Sequence, residues 1–473
     1  MNAPTTLLLD SSTGGTELQA PIPQHGDVND RLVATVTVTR DLDAVRACLE
    51  ADADPNTPAP DGLPLLCTAV ARFDHESVEA LTDGGANPDL ELPDGTTPLL
   101  RAVDLGSPAL VDAALGKDPA LRLSKAEQQR LLDCARHWCE AGEADELRNR
   151  TRGSGPVTRR RITDAEFTDV EEVSLGGLTV RAGHSAILTS LERTFGVLPP
   201  VAELVARAIP YPEETHVNWF APSYVLAHRR SAQAWSDLAA LRHHADPVHR
   251  RFLAGVLWHR ILLAGTRPRQ DTDRDVEFLA QWALDESDGH VLAKVLDAYT
   301  GWDHAGQEAI GLRYAGHPDP RVRREVPYCL LQWRTSPNET VTRTLFALAR
   351  DPDAAVRAAV ARVLAGPHEL SPPTRDCLLT LIRDTDHGVR AAAAEALSGC
   401  HDRTPAVMDA FAALLDEDSQ ILRLEAAYAF ARRDDPRTEQ AYERVGPLGP
   451  GFEHDHRVSA HWYYRRSGRA DQT

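Results

Sequence analysis

The chain is short of lysine, aromatic residues and methionine, and it has no long apolar run. Lys117, Lys125 and Lys294 are its three lysines among 51 cationic residues, so arginine supplies nearly all the positive charge, a skew that reads first as coding bias. With 6% aromatics, 2 methionines and abundant Ala and Leu, small-residue helix packing is favoured over a sandwich or barrel. The 7 cysteines are odd in number and scattered from Cys48 to Cys400, which excludes a disulfide framework. No apolar stretch approaches the ~18 residues a bilayer span requires. The opening MNAPTTLLLD lacks a positive region ahead of its leucines, so neither signal peptide nor membrane partner is expected, and the expected setting is cytoplasmic. Positive charge is outweighed by 70 acids, giving a net charge of −19. A phosphate-backbone binder needs clustered positive charge, so nucleic acid is not expected as a partner. No G-x-S-x-G, glycine-rich phosphate loop, H-E-x-x-H or paired C-x-x-C occurs. No catalytic residue, cofactor or metal ligand is therefore assigned, and no enzyme activity is expected.

What the chain does have is internal repetition. Residues 1–29 are rich in Thr, Gly, Pro and Ser and read as disordered. Beyond them, an offset of 33 places Asp61-Gly62 on Asp94-Gly95, Leu66 on Leu99 and Ala69-Val70 on Ala102-Val103. Asp-Gly supplies a tight turn, a proline such as Pro98 opens a short helix, and a second apolar-striped helix ends at Gly84-Gly85. One such pair cannot bury its own face, so pairs must stack. DGTTPLLRAV (94–103) and DGLPLLCTAV (61–70) resemble the ankyrin repeat. Three units over about 31–120 are expected, the first degenerate because RLVATVTVT is rich in β-branched, poorly helical residues. Ser124 and Glu127 form a capping-box pattern opening a helix that would close the stack, completing a module over 30–141. Residues 142–199 read as a linker, a β-hairpin turning at Gly176-Gly177, and a connecting helix.

A second repeat fills 200–432. An Asp four residues before an Arg recurs as Asp246/Arg250, Asp319/Arg323, Asp353/Arg357 and Asp386/Arg390, with weaker units at Asp288, where Leu292 takes the Arg slot, at Asp418, and around Trp219. The Asp is placed to cap an Ala-rich second helix, and the Arg to bond Asp or carbonyls of neighbouring units as a structural ladder. VRAAVARVL and VRAAAAEAL resemble HEAT repeats of the short form common in bacteria, which includes the phycobilisome-lyase-like class. The whole resembles ankyrin-plus-HEAT proteins of high-GC bacteria. The expected fold is all-α, a tandem α-solenoid of an ankyrin-like stack followed by a HEAT-like array, with a small β-hairpin insert. Residues 433–473 would form a C-terminal cap and tail.

That architecture implies a non-catalytic adaptor or scaffold for protein partners. The position nine residues after each Asp slot selects Gly255, Asp297, Tyr328, Arg362, Glu395 and, allowing for an insertion, Tyr428 as a face mixing both charges with tyrosine. The turn-tip acids Asp61 and Asp94 would select basic surfaces. Two alternatives follow by analogy: a nucleic-acid-binding HEAT protein with glycosylase-like base chemistry, and a lyase or chaperone. Three further clusters have plainer explanations than their chemistry suggests. Cys134, His137 and Cys139 do not share one helical face. His454, Asp455, His456 and His461 sit in a terminal segment. The arginines from Arg148 to Arg161 are explained by attraction to residues 1–150, which hold 26 acids against 12 bases, or by a solvated linker.

Overall fold

The structure, a computed structural model, describes residues 27–470 except 264, 266–268, 332–337, 366–369, 450–451 and 453–454. The expected disorder of 1–29 therefore falls mostly outside the described residues, and Asp27 already caps a helix that begins at Val28. The chain divides into two compact units, 1–225 and 226–473.

Unit 1 stacks short helix pairs: α1 (Val28–Ala34) with α2 (Leu42–Glu50), α3 (Leu65–Ala71) with α4 (His75–Asp83), and α5 (Pro98–Leu105) with α6 (Pro108–Leu115). The β-branched run after α1 does not extend it regularly. Thr35–Thr39 widen into a π-helical turn, with the Thr35 and Thr37 hydroxyls donating to the carbonyls of Arg31 and Val33. In the third pair, Thr97 and Ser107 cap helices that open on Pro98 and Pro108, whose missing N–H costs nothing at that position. The turns at Gly62 (φ +83°) and Gly95 (φ +75°) are left-handed, as Asp-Gly predicts. Neighbouring pairs are stitched through them: Asn87 N–H donates to Asn56 Oδ1 at 2.9 Å, and Arg122 bonds Asp89.

After α7 (Pro119–Arg122), helix α8 (Lys125–Ala141) opens with the Ser124–Glu127 capping box in both directions. It does not close the stack, because α5 and α10 (His184–Thr194) both pack against it. The segment expected as a linker is ordered too. Glu143–Thr151 is helix α9, and the expected hairpin is a three-stranded antiparallel sheet of β1 (Thr158–Ala165), β2 (Thr168–Leu175) and β3 (Leu178–Arg181), with Gly176-Gly177 turning β2 into β3. Sequence periodicity missed β1 because its TRRRITDA carries no apolar alternation; it is an edge strand with one buried residue. Unit 1 ends with α11 (Val201–Ala208) and α12 (Val217–Ala227), which reaches the boundary; residues 200–225, expected to open the HEAT-like array, cluster here instead.

The sheet is locked to the third helix pair by backbone contact. Gly183 N–H donates to Gly106 O at 3.0 Å, and Gly106 (φ +75°) sits so close to β3 that a Cβ there would fall 1.9 Å from Arg181 O. Beside it, buried Asp164 of β1 accepts from the Ser107 hydroxyl (2.6 Å), Ala109 N–H (2.8 Å) and Arg181 (2.8 Å). Every oxygen of this buried carboxylate is thereby satisfied, which is what burying a charge demands.

Unit 2 is a run of seven helix pairs: α13 (Ala232–Ala240) and α14 (Pro247–Leu262), α15 (Arg269–Asp285) and α16 (Gly289–Thr300), α17 (Gln307–Tyr314) and α18 (Pro320–Leu330), α19 (Glu339–Leu348) and α20 (Ala354–Leu364), α21 (Pro372–Leu381) and α22 (His387–Gly399), α23 (Pro405–Leu414) and α24 (Gln420–Ala431), α25 (Thr438–Val445) and α26 (His456–Ala470). Second helices pack on second helices along the whole row, from α14 on α16 to α24 on α26. The C-terminal segment expected as a cap and tail thus repeats the pairing, with α26 seated on α24 and Arg457 bonded to Glu425 at 3.0 Å. The protein is an α-solenoid with a small sheet. Among the described residues no helix is long and apolar enough to cross a membrane.

Replacing Gly106 by Ala should lower the stability of unit 1 by about 2–4 kcal/mol, since both the left-handed φ and the contact with Arg181 O forbid a Cβ. Gly95→Ala, where nothing lies within 4 Å of the added carbon, should cost only about 1 kcal/mol. Chemical denaturation of the two variants measures the difference; equal losses would show that the sheet is not clamped there.

Candidate functional site

The faces that unit 2 presents depend on how its second helices are held, and the recurring Asp and Arg divide that task. Each Asp caps its helix: Asp246 accepts from Val248 N–H, Asp319 from Arg321, Asp353 from Ala355 and Val356, and Asp386 from Val389, all at 2.9–3.2 Å. The Arg does not bond the capping Asp. One guanidinium nitrogen donates to two carbonyls of the turn just before its own helix, as Arg323 does to His317 O (2.8 Å) and Pro318 O (3.0 Å). The others reach the next unit, to an acid two residues before that unit's cap: Arg250 to Glu286, Arg323 to Asp351, Arg357 to Asp384, and Arg390 to Glu417. The acid in turn accepts the N–H of its own cap residue, Asp351 from Asp353 and Asp384 from Asp386. Hydrogen bonding from Arg357 holds the Asp384 carboxyl below its ordinary range; at Asp351, burial pushes upward, and the Arg323 bond, the Asp353 N–H and the charges of Arg323 and Arg357 together outweigh it.

Among the described residues two joints show no such rung: at α24–α26, Arg423 donates to the carbonyls of Glu417, Asp418 and Val445, and at α16–α18 neither half is present. Between α16 and α18 the Arg slot holds Leu292, buried in the core, and the acid slot holds His317, whose Nδ1 takes the Asp319 N–H at 3.1 Å. Both halves are replaced together, and Gly289 lets the units approach until a Cβ there would lie 2.4 Å from Asp319 Oδ2.

Across these joints the second helices carry an open groove of about 720 Å³. It brings together Asp297 of α16, Tyr328 of α18 and Arg362 of α20, three of the residues chosen by their repeat position. Ala354, Ala355 and Ala358 make its floor small, and Asp386 and Gly388 stand at the start of α22. Asp297 is bonded to Lys294 at 2.9 Å, Tyr328 is half-buried and Arg362 is exposed. The remaining stripe positions lie apart from the groove. Gly255 is buried, so it belongs to the core rather than the face; Glu395 is exposed; and Tyr428 is half-buried with its ring against His456 at 5.1 Å. In unit 1, Asp61 is exposed and accepts Leu63 N–H at 3.0 Å. Asp94 accepts from Thr96 and from Arg101 at 2.9 Å, and the Thr96 bonds hold its carboxyl down at about 2, so its charge already serves its own turn.

Sequence reasoning missed Glu325, which lines the same groove at 4% exposure. Burial pushes its carboxyl up to about 7, Asp297 adds to the push, and Arg324, bonded to Glu325 Oε1 at 2.8 Å, pulls it back. Nothing in REVPYC marks an inward glutamate except its place one residue beyond an exposed arginine.

The other clusters are tied into the scaffold. Cys134 contacts Asp104, His137 pairs with Glu146 at 3.1 Å, and Cys139 is exposed. Arg150 bonds Asp104 and Glu146 and lies over the Trp138 ring, while Arg160 and Arg161 pair with Glu172 and Asp169. His461 pairs with Glu439 and stacks on Tyr442; His454 lies outside the described residues. Among the described residues no group of three or more His, Cys, Asp or Glu is arranged to hold a metal ion.

Residues 341–431 match the family model for HEAT repeats. That stretch holds two of the joints just described, the Arg357–Asp384 and Arg390–Glu417 rungs. No curated protein matches the chain. Among solved structures it is similar to YibA of E. coli at 16% identity, with 57% of this chain and 93% of that one covered and a TM-score of 0.40. It is also similar to an engineered protein at 15% identity, with 90% and 100% covered and a TM-score of 0.35.

Two measurements check these assignments. Leu292→Arg and His317→Asp should each destabilise alone, one by burying an unpaired charge, whereas the double variant should regain about 1–3 kcal/mol as a rung forms; strictly additive losses would refute the slot assignment. Glu325 has a folded pKa raised from 4.5 to about 7, so stability falls as pH rises from 4.5 to about 7 and the full penalty persists above. Glu325→Gln should flatten that slope and be more stable than the parent at pH 8 by about 1–3 kcal/mol, as read from denaturation midpoints across pH.

Proposed function

We propose that the protein is a non-catalytic scaffold that holds protein partners on the second-helix face of unit 2, with Asp297, Tyr328 and Arg362 as contacts and Glu395 and Tyr428 extending the same face. The observation that carries this reading is the groove of about 720 Å³, built from consecutive repeats and lined by both charge signs and a tyrosine. Such a mixture suits a protein surface, where aromatic and arginine anchors dominate binding energy. An open trough across stacked units gives length for a partner, whereas chemistry needs a closed centre that excludes water. The turn tips at Asp61 and Asp94 form the second proposed contact region. We read the stack that carries them as ankyrin-like, on its 33-residue offset, left-handed Asp-Gly turns and paired short helices. A cytoplasmic setting belongs to the same proposal and agrees with seven free cysteines.

A photoactivatable residue in place of Tyr328 in the full chain should cross-link a defined partner in extracts of the source cell. Arg362→Glu should weaken that capture by about 1–3 kcal/mol, roughly tenfold or more. A probe at Arg343, on the first-helix face, should miss the same partner. Equal capture from both positions, or indifference to Arg362→Glu, would defeat the reading.

A further inference from the structure

The sheet of unit 1 carries alternating charge that ends on an open edge. The strand order is β1-β2-β3, so β1 pairs only with β2. Thr158, Arg159, Arg160, Arg161 and Thr163 are exposed, and among the described residues no backbone hydrogen bond from outside the sheet reaches 158–163. A free row of N–H and C=O groups is a template for another strand.

The side chains specify which kind of strand. Arg181 of β3 stands opposite Glu172 of β2, and Glu172 stands opposite Arg160 of β1, bonded to it at 2.8 Å. In the next row Arg161 stands opposite Glu171 and reaches diagonally to Asp169 at 3.3 Å. The sign therefore runs positive, negative, positive from β3 to β1. Directly opposed unlike charges stabilise a sheet and like charges destabilise it, so the position beyond β1 is preset for acid. Arg159, opposite Val173, forms no ion pair among the described residues. At the turn joining β1 to β2, Phe167 is 75% exposed and offers an apolar contact at the end of the edge.

We propose that the open edge of β1, residues 158–163, is a strand-addition site for an extended acidic segment of a protein partner. Backbone bonds to β1 provide affinity, and acids on the incoming strand meet Arg160 on one face and Arg159 and Arg161 on the other. The same arginines repel a second copy of β1, so the edge rejects its own kind while accepting an acidic strand. The site lies in unit 1 and does not depend on the groove of unit 2.

The test uses the full-length protein and a fluorescein-labelled Glu-Glu-Val-Glu-Glu-Val peptide, which carries acids on both faces of the strand, followed by anisotropy at about 0.1 M salt. Binding is expected, weakened at least about tenfold by N-methylation of alternate peptide amides, which removes ladder donors but keeps the charge, and similarly by Arg159→Glu. The Arg159→Glu/Arg160→Glu/Arg161→Glu variant, checked for an unchanged circular dichroism spectrum, should lose binding; if it misfolds, the N-methylated peptide carries the test alone. No binding of the acidic peptide overturns the proposal. So does equal binding of the N-methylated peptide, which would mean bare charge attraction, or equal binding of a uridine oligonucleotide, which would mean a nucleic-acid surface.

Discussion

A guanidinium offers several N–H donors in one rigid plane, and the arrangement of unit 2 rests on dividing them between two partners. One edge of each ladder arginine holds the carbonyls that end its own inter-helix turn; the other reaches an acid in the next unit. Lysine could bridge the same distance but not fix both directions, because an ammonium is a point charge without a fork. The rung therefore sets both the turn angle within a pair and the spacing between pairs. The partner acid completes the circuit by accepting the amide of its own cap residue, so helix capping and unit stacking are parts of one hydrogen-bonded network. The groove on the second-helix face follows from this spacing together with the alanines of α20, which leave room where larger side chains would fill it.

Unit 1 is held by other means. Its turns are stitched by Asn56 and Asp89, one repeat apart, and its sheet is fixed to the third helix pair by a glycine that admits no side chain and by a buried carboxylate with three donors. The contrast explains why the two units tolerate different changes. In the first, the critical positions are those where backbone meets backbone; in the second, they are where one side chain spans two units.

Much of this organisation was legible from periodicity. The 33-residue offset, the Asp-Gly turns, the capping aspartates and three of the groove residues follow from repeat position alone, because a repeat places equivalent side chains on equivalent surfaces. What periodicity could not supply was pairing across the repeat boundary. The acids at Glu286, Asp351, Asp384 and Glu417 stand two residues before each cap, as in Asp351-Pro352-Asp353, yet adjacent acids in a turn look interchangeable until it is known which one faces the neighbouring unit. Strand β1 was hidden because an exposed edge strand has no apolar alternation to betray it. Helix α9 was hidden because its arginines, read as linker charge, are anchored, Arg150 by Asp104 and Glu146 and Arg148 by Asp145. Gly255 failed as a surface position because the stripe assumes equal helix rotation in every unit. Glu325 was illegible because nothing local tells an inward glutamate from an outward one.

The Leu292–His317 substitution gives the array an uneven response to dissolved electrolyte. Ions screen the charge pairs at the other joints, most strongly at α22–α24, where the Glu417 carboxylate is partly open to water, and least at the adjoining ones, where Glu286 and Asp351 are buried. The α16–α18 joint, where leucine replaces guanidinium, has no such pair to screen, and strongly hydrated salts such as sulfate strengthen apolar contact. In brine the α22–α24 joint softens while this one tightens, so the array's compliance is redistributed along its length with no residue changed.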